Sequence, residues 1–365
     1  MAFRFKPRGT ATGALVAIAC LLPGWAAASP IKADEEVVFF PTTAHLDDEA
    51  WIIPVHGWIF ELEPESVWRA EVIEELLEHL ELDPAARDEE RFRERARMFL
   101  VDNERGKKLE IRLGGQTFAL ARSAPNGHFS GRLGLRRERL AEVSGNAWLP
   151  FEAVMPKGDR RQFTGQVQFL DPKGLSVISD IDDTIKISVV TDKRELLANT
   201  FLREFRDVPG MTETYGRWAE AGAAFHYVSS SPWQLYPALS TFMGHAGFPP
   251  GAFHLRWFRL KDETFFNLFA APEESKIPVI ESILRDYPIR KFVLVGDSGE
   301  KDPEIYGTIA RRHGGQVRHV FIRNVSPQDD QGERFAAAFR GLPETIWTVF
   351  RSADELKRID LKVEE

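Results

Sequence analysis

From Leu175 onward, short apolar runs and amphipathic stretches take turns, and this alternation restricts the fold more than any other feature of the chain. The runs at 175–179, 224–228, 291–296 and 317–322 have strand length. Between them, residues near 193–206, 211–221, 232–246, 274–286 and 302–313 carry apolar side chains at helical spacing. Strands separated by helices build a parallel sheet covered on both faces, so the pattern predicts an α/β fold. Ligands of such sheets collect beyond the carboxyl ends of the strands. Polar clusters fall there: Asp180-Ile181-Asp182-Asp183-Thr184 after the first run and Ser229-Ser230-Ser231-Pro232-Trp233 after the second. The third ends in Gly296-Asp297-Ser298-Gly299-Glu300-Lys301-Asp302-Pro303, with Lys276 near the start of the helix that feeds it.

Three carboxylates within four positions repel one another, and the apolar residues around Asp180, Asp182 and Asp183 supply no cation. A bound positive charge has to offset them.

At 365 residues the chain suits two domains, and 43% hydrophobic against 28% charged residues is a globular composition. Residues 1–28 read as a secretory signal peptide: Arg4, Lys6 and Arg8 open it, Gly13 to Leu22 is apolar, and Ala26-Ala27-Ala28 offers a small-residue site for cleavage after Ala28. The apolar run is shorter than the roughly 20 residues of a membrane span, which favours cleavage over an uncleaved anchor. Ala17 and the Leu21-Leu22 pair fit poorly with a lipoprotein signal around Cys20. The expectation is an exported protein, periplasmic or secreted. Its one cysteine, Cys20, would leave with the signal, so the mature chain would have no disulfide, thiol nucleophile or cysteine metal site. Loss of the three basic residues takes the formal charge from −8 to −11, which disfavours nucleic acid as a partner. No later stretch has the length and apolarity of a transmembrane helix, so contact with lipid would be peripheral. The sequence names no protein partner.

Residues 30–170 read as a β-rich accessory domain with a helical insertion. "VVFFPTTAHL" and "WIIPVHGWIFEL" are strand-like runs interrupted by proline, "ESVWRAEVIEELLEHL" and "DEERFRERARMFL" have helical spacing, and Asn126-Gly127 reads as a hairpin turn.

An apolar strand followed by D-x-D-x-T, a strand ending in serine, a lysine ahead of the next strand, and G-D-x(4)-D together resemble the motif set of the haloacid dehalogenase (HAD) superfamily of phosphotransferases. The wording "DIDDTIK", "FHYVSSSPWQLYP" and "FVLVGDSGEKDPEIY" is similar to the phosphatidate phosphatase catalytic domain of the fungal actin-patch protein and its bacterial relatives, a lipin-related group. The likeness spans roughly residues 175 to 325, and "HGWIFE" in the accessory region shares it. It implies a Rossmann-like HAD sheet with helices on both faces over 171–330, followed by a helical tail at 331–365. It also implies an Mg²⁺-dependent phosphatase that hydrolyses phosphatidate to diacylglycerol and phosphate at a membrane surface. On that resemblance Asp180 is the nucleophile and forms an aspartyl-phosphate. Asp182 protonates the leaving oxygen and later takes a proton from water. Asp180, Asp297 and the backbone carbonyl of Asp182 surround Mg²⁺, a cation suited to hard oxygen ligands, while Asp302 supports that shell or orients Lys276. Ser229 hydrogen-bonds a phosphoryl oxygen, Lys276 offsets its charge, and Thr184 ties down the loop. Mg²⁺ is then the positive charge that the crowded aspartates lack.

Plainer roles compete with several of these. Asp302-Pro303 and Ser231-Pro232 are good helix starts, which is why Ser229 is preferred to its neighbours. Lys276 alone would be a solvated lysine, Asp183 a turn residue, and His226, His45 and His56 satisfied core histidines. Only one or two helices fit between Thr184 and Pro209, so the site lacks a large cap and admits a bulky head group. Trp233, Trp257, Phe258, Phe265 and Phe266 suit a membrane surface, although "TFFNLF" suits a core equally well. Two other functions stand beside the first: a secreted phosphomonoesterase for soluble organic phosphates, and a non-catalytic phosphatidate-binding module. The presence of Asp182 favours hydrolysis.

Overall fold

The computed structural model describes residues 29–62, 90–140, 146–258, 276–326 and 332–358. The signal segment, "ESVWRAEVIEELLEHL" and "TFFNLF" with Phe265 and Phe266 lie outside them.

The first half forms a nine-stranded, mostly antiparallel sheet. Its strands are β1 (Glu35–Phe40), β2 (Thr42–Asp47), β3 (Ala50–Glu61), β4 (Asp102–Asn103), β5 (Glu110–Leu113), β6 (Gln116–Ala119), β7 (His128–Arg136), β8 (Trp148–Ala153) and β9 (Thr164–Phe169). One short helix, α1 (Glu90–Arg97), precedes β4. Asn126-Gly127 is a turn, with Gly127 at φ +74° and its N–H donating to the carbonyl of Ala124 at 2.9 Å. It does not close a hairpin, because the strand that follows it, β7, pairs with β3 rather than β6.

The second half is a six-stranded sheet in which every neighbouring pair is parallel. Its strands are β10 (Leu175–Ser179), β11 (Ala224–Pro232), β12 (Ala252–Arg256), β13 (Lys291–Asp297), β14 (Val317–Arg323) and β15 (Trp347–Phe350). The helices are α2 (Lys193–Phe201), α3 (Met211–Glu220), α4 (Tyr236–Ala246), α5 (Lys276–Asp286), α6 (Asp302–Arg312) and α7 (Gly332–Ala338). Strand periodicity sends alternate residues to opposite faces. Val177, Tyr227 and Val295 enter a core with Tyr215 of α3 and Leu239 of α4. Ile178, Val228 and Leu294 enter a second core with Ile283 of α5 and Ile309 of α6. The sheet is therefore covered on both faces, as the near-continuous apolar runs require.

The spatial order is β12-β11-β10-β13-β14-β15. From β10 the chain moves outward to β11 and β12, then returns to the other side of β10 for β13. The carboxyl end of β10 lies at this reversal, where open α/β sheets hold ligands.

Three expectations are corrected. The segment from 331 is not a helical tail: after α7 it contributes β15, which pairs with β14 and carries the parallel sheet past the boundary placed at 330. The helical stretch placed near 193–206 ends at Phe201, and this one nine-residue helix before Pro209 agrees with the one or two expected there. Trp233 and Phe258 are buried, and of the rim aromatics described only Trp257, 52% exposed, faces solvent. Phe40, Trp58 and Phe99 of the first half share one apolar core with Trp233, Tyr236 and Phe258 of the second. Among the described residues no helix is long and apolar enough to cross a membrane.

Candidate active site

Parallel pairing of β10 with β11 and with β13 brings the three polar clusters to one edge. Asp180 continues the ladder, its N–H donating to the carbonyl of Val295 at 2.9 Å. The chain then turns sharply. Asp183 sits at φ +52°, and its carboxylate accepts from the backbone N–H groups of Ser188 (2.8 Å), Val189 (2.9 Å) and Val190 (2.6 Å). Aspartate tolerates this left-handed geometry and caps such turns, so Asp183 is the turn residue of the loop. Thr184, read as the residue that ties the loop down, is buried with an unpartnered Oγ1; Asp183 does that work instead.

Asp180, Asp297 and Asp302 are fully buried, and one carboxylate oxygen from each lies within 4.8 Å of the others. Both oxygens of Asp180 and Oδ2 of Asp297 accept no hydrogen bond. Burial raises both carboxyls well above the usual aspartate range, only partly countered by the charge of Lys276. Buried carboxylate oxygens without donors either keep protons or face a cation. This all-oxygen, donor-poor set fits a divalent metal ion.

Lys276 is 4% exposed, which excludes the solvated-lysine reading. Its Nζ lies 3.0 Å from Asp180 Oδ1, 2.7 Å from Asp302 Oδ1 and 3.0 Å from Glu300 Oε2. Burial alone would lower its pKa, but these carboxylates outweigh it and keep the ammonium charged. Asp302 does not cap its helix; it receives Lys276 and the N–H of Asp297 (3.3 Å). Gly296 makes that reach possible, since a Cβ there would stand 2.2 Å from Asp302 Oδ2.

Asp182 occupies a separate niche, and its side chain is not part of the three-carboxylate group. Oδ1 receives Lys186 Nζ (2.8 Å) and Ser188 Oγ (2.7 Å), while Oδ2 receives Ser231 Oγ (2.8 Å) and Ser229 Oγ (3.3 Å). Burial would raise this carboxyl, yet Lys186 and the hydroxyl donors outweigh it and hold it at about 2. Ser229, expected at a phosphoryl oxygen, and Ser231, expected as a helix cap, both face Asp182. Neither hydroxyl is spent on a helix, because β11 continues through Pro232.

Lys186, Ser188, Ser231 and Glu300 are thus site residues that sequence reasoning passed over. Lys186 was signalled in "DIDDTIK", four residues after Asp182. His226 is buried as expected but not satisfied, since neither ring nitrogen has a partner. His56 is not isolated: its Nε2 lies 3.2 Å from Nδ1 of His128, and burial pushes the two rings down to about 3 and about 2.

Buried aspartates, a serine and a lysine gathered at the carboxyl edge of a parallel sheet supply a nucleophile, a carboxylate set for a cation and anion-binding groups, the parts that phosphoryl transfer requires. Residues 175–324 match the family model described as "Phosphatidate phosphatase APP1, catalytic domain". Phosphatidate phosphatase APP1 of Saccharomyces cerevisiae is 37% identical over 164 residues, 44% of this chain and 27% of the relative. An uncharacterized protein of Schizosaccharomyces pombe is 33% identical over 169 residues, 45% of this chain and 27% of its own length. The chain therefore spans about a quarter of the length of these relatives.

Proposed function

We propose that this protein is an Mg²⁺-dependent phosphatidate phosphatase that releases diacylglycerol and phosphate through an aspartyl-phosphate on Asp180. The observation that carries this reading is the buried carboxylate of Asp180, which accepts no aligned hydrogen bond, lies 3.0 Å from Lys276 and is grouped with Asp297 and Asp302, inside the segment that matches the catalytic family model. Asp180, Asp297 and the Asp182 carbonyl would hold Mg²⁺, with Asp302 behind them. When bound, the ion neutralises phosphate charge and stabilises the charge that develops during transfer.

The remaining chemistry belongs to side chains. An oxygen of Asp180 attacks phosphorus while the bond to the glycerol oxygen breaks, and Asp182 delivers a proton to that oxygen. Asp182 is ionised in the substrate-free protein, so the proton arrives with a substrate bound as its monoanion. Water then gives a proton to Asp182 and attacks the aspartyl-phosphate, freeing phosphate and restoring Asp180, and Asp182 gives up that proton with the departing phosphate. Lys276 offsets phosphoryl charge and Ser229 offers a hydroxyl to a phosphoryl oxygen. The presence of Asp182 in this role argues against a purely phosphatidate-binding module. We further propose export, on the basic, apolar and small-residue pattern of residues 1–28, in which case the mature protein would begin at Ser29.

One observation favours hydrolysis of soluble phosphate esters as the second reading: among the described rim aromatics only Trp257 is exposed, a narrow footing for lipid. Phosphate release from phosphatidate in mixed micelles, beside a panel of soluble esters, separates the two. Lipid turnover that requires Mg²⁺ and disappears in Asp180→Asn is the expected result. Turnover of soluble esters alone moves the assignment to the second reading, and full activity in Asp180→Asn rejects the site.

A further inference from the structure

We propose that Lys186 is a positioning residue for the reaction, fixing the orientation of the acid–base carboxylate of Asp182 through a buried ion pair. This rests on the phosphomonoesterase reading of the site and adds to it a residue with no role in the motif set. The side chain of Lys186 is 2% exposed, and its Nζ lies 2.8 Å from Asp182 Oδ1. The same ammonium donates to Ser188 Oγ, which donates in turn to Asp182 Oδ1. Ser231 Oγ grips Oδ2 from the opposite side at 2.8 Å. Rotation of the carboxylate would break charge-assisted bonds at both oxygens.

The lysine is itself held. Its carbonyl accepts from Asp183 N at 2.7 Å, the next N–H donates to the carbonyl of Arg206 at 2.8 Å, and the Phe205 ring closes over Nζ at 4.8 Å. Lys276 meanwhile serves Asp180, Asp302 and Glu300. The two lysines divide the labour: one faces the attacking carboxylate, the other the proton carrier. Buried ion pairs contribute little net stability relative to apolar packing, so fold stability alone gives no reason for a lysine here. Orientation of a group that must meet the leaving oxygen within hydrogen-bond reach does.

The test is a kinetic cycle of Asp182→Asn, Lys186→Met, the double variant and Lys186→Arg. It reads kcat/KM on whichever alkyl phosphate monoester the wild type hydrolyses and on p-nitrophenyl phosphate, whose alcohol departs without a proton. Lys186→Met is expected to lower kcat/KM about 100-fold on the alkyl ester, within the range of general acid catalysis. The loss on p-nitrophenyl phosphate should stay below about tenfold, Lys186→Arg should recover part of the rate, and the double variant should be no worse than Asp182→Asn. Equal losses on both esters, additive losses in the double variant, or an unchanged rate in Lys186→Met would each overturn the proposal. If Lys186→Met fails to fold by circular dichroism, the charge-balanced double variant against Asp182→Asn still decides. Because any hydrolysed alkyl ester serves, failure of lipid turnover sinks the phosphatidate reading without touching this one.

Discussion

Asp180 shows why the site is costly to the fold. Its carboxylate is buried without an aligned donor, and burial raises its pKa well above the usual range despite Lys276. The folded chain therefore binds more protons than the unfolded one, whose aspartates titrate near ~3.9. Stability from this group falls as pH rises from there through the raised folded value. Asp182 has the opposite sign: held at about 2, it adds stability that is complete above ~4 and is lost as pH falls toward 2. Asp180→Asn removes the costly charge and keeps the shape. In EDTA the variant should melt above the wild type, by a wider margin at pH 8 than at pH 5, and Mg²⁺ should raise the wild type more than the variant. A variant that melts below the wild type in EDTA at pH 8 would mean that the Lys276 pairing outweighs burial. At this scale the sequence placed Asp180, Asp182 and Asp297 at or just beyond strand ends, and the structure has them there. The sequence assigned no part to Lys186, although "DIDDTIK" contains it, or to Ser188, because their contacts with Asp182 depend on how the loop folds back beyond Asp183, which no periodicity announces.

The element the sequence concealed is the one that completes the sheet. β10, β11, β13 and β14 were legible because their runs are largely buried and read as near-continuous apolar stretches. β12 and β15 were not: "AFHLR" and "WTVF" lie at sheet edges, are short, and carry too few residues for a period to emerge. Ahead of β15, α7 carries Arg334, whose guanidinium donates to the carbonyls of Ser298 (2.5 Å) and Glu300 (2.6 Å) and to Glu304 (2.8 Å). It thus clamps the loop between Asp297 and Asp302 from outside the matched segment. Arg334→Ala should cost about 2 kcal/mol, a typical value for charge-assisted hydrogen bonds. It should also raise the Mg²⁺ concentration for half-maximal phosphate release about tenfold, through a loosened Asp297. Unchanged Mg²⁺ dependence at lowered stability would leave the clamp with a purely structural role.

Across the whole molecule the two sheets act as one body, although composition and strand pattern suggest two. Phe40 on β1 stands 4.1 Å from the Trp233 ring and 4.9 Å from Tyr236, just beyond the serines that face Asp182. Arg95 of α1 donates to the carbonyls of Thr200 (2.7 Å) and Arg203 (2.8 Å), which closes the end of the helix that follows the Asp183 loop. The accessory sheet thus forms the back wall of the catalytic edge, and Phe40, Trp58, Trp233 and Tyr236 are buried in a core that the two halves share. Calorimetry of the full chain should show one cooperative transition rather than two. Phe40→Ala opens a cavity within the shared core and should destabilise by about 3–5 kcal/mol. The loss should lower that single transition as a whole. A second transition split off by Phe40→Ala, with the catalytic half unmoved, would show that the halves fold independently and that the accessory sheet does not hold the site's outer loops in place.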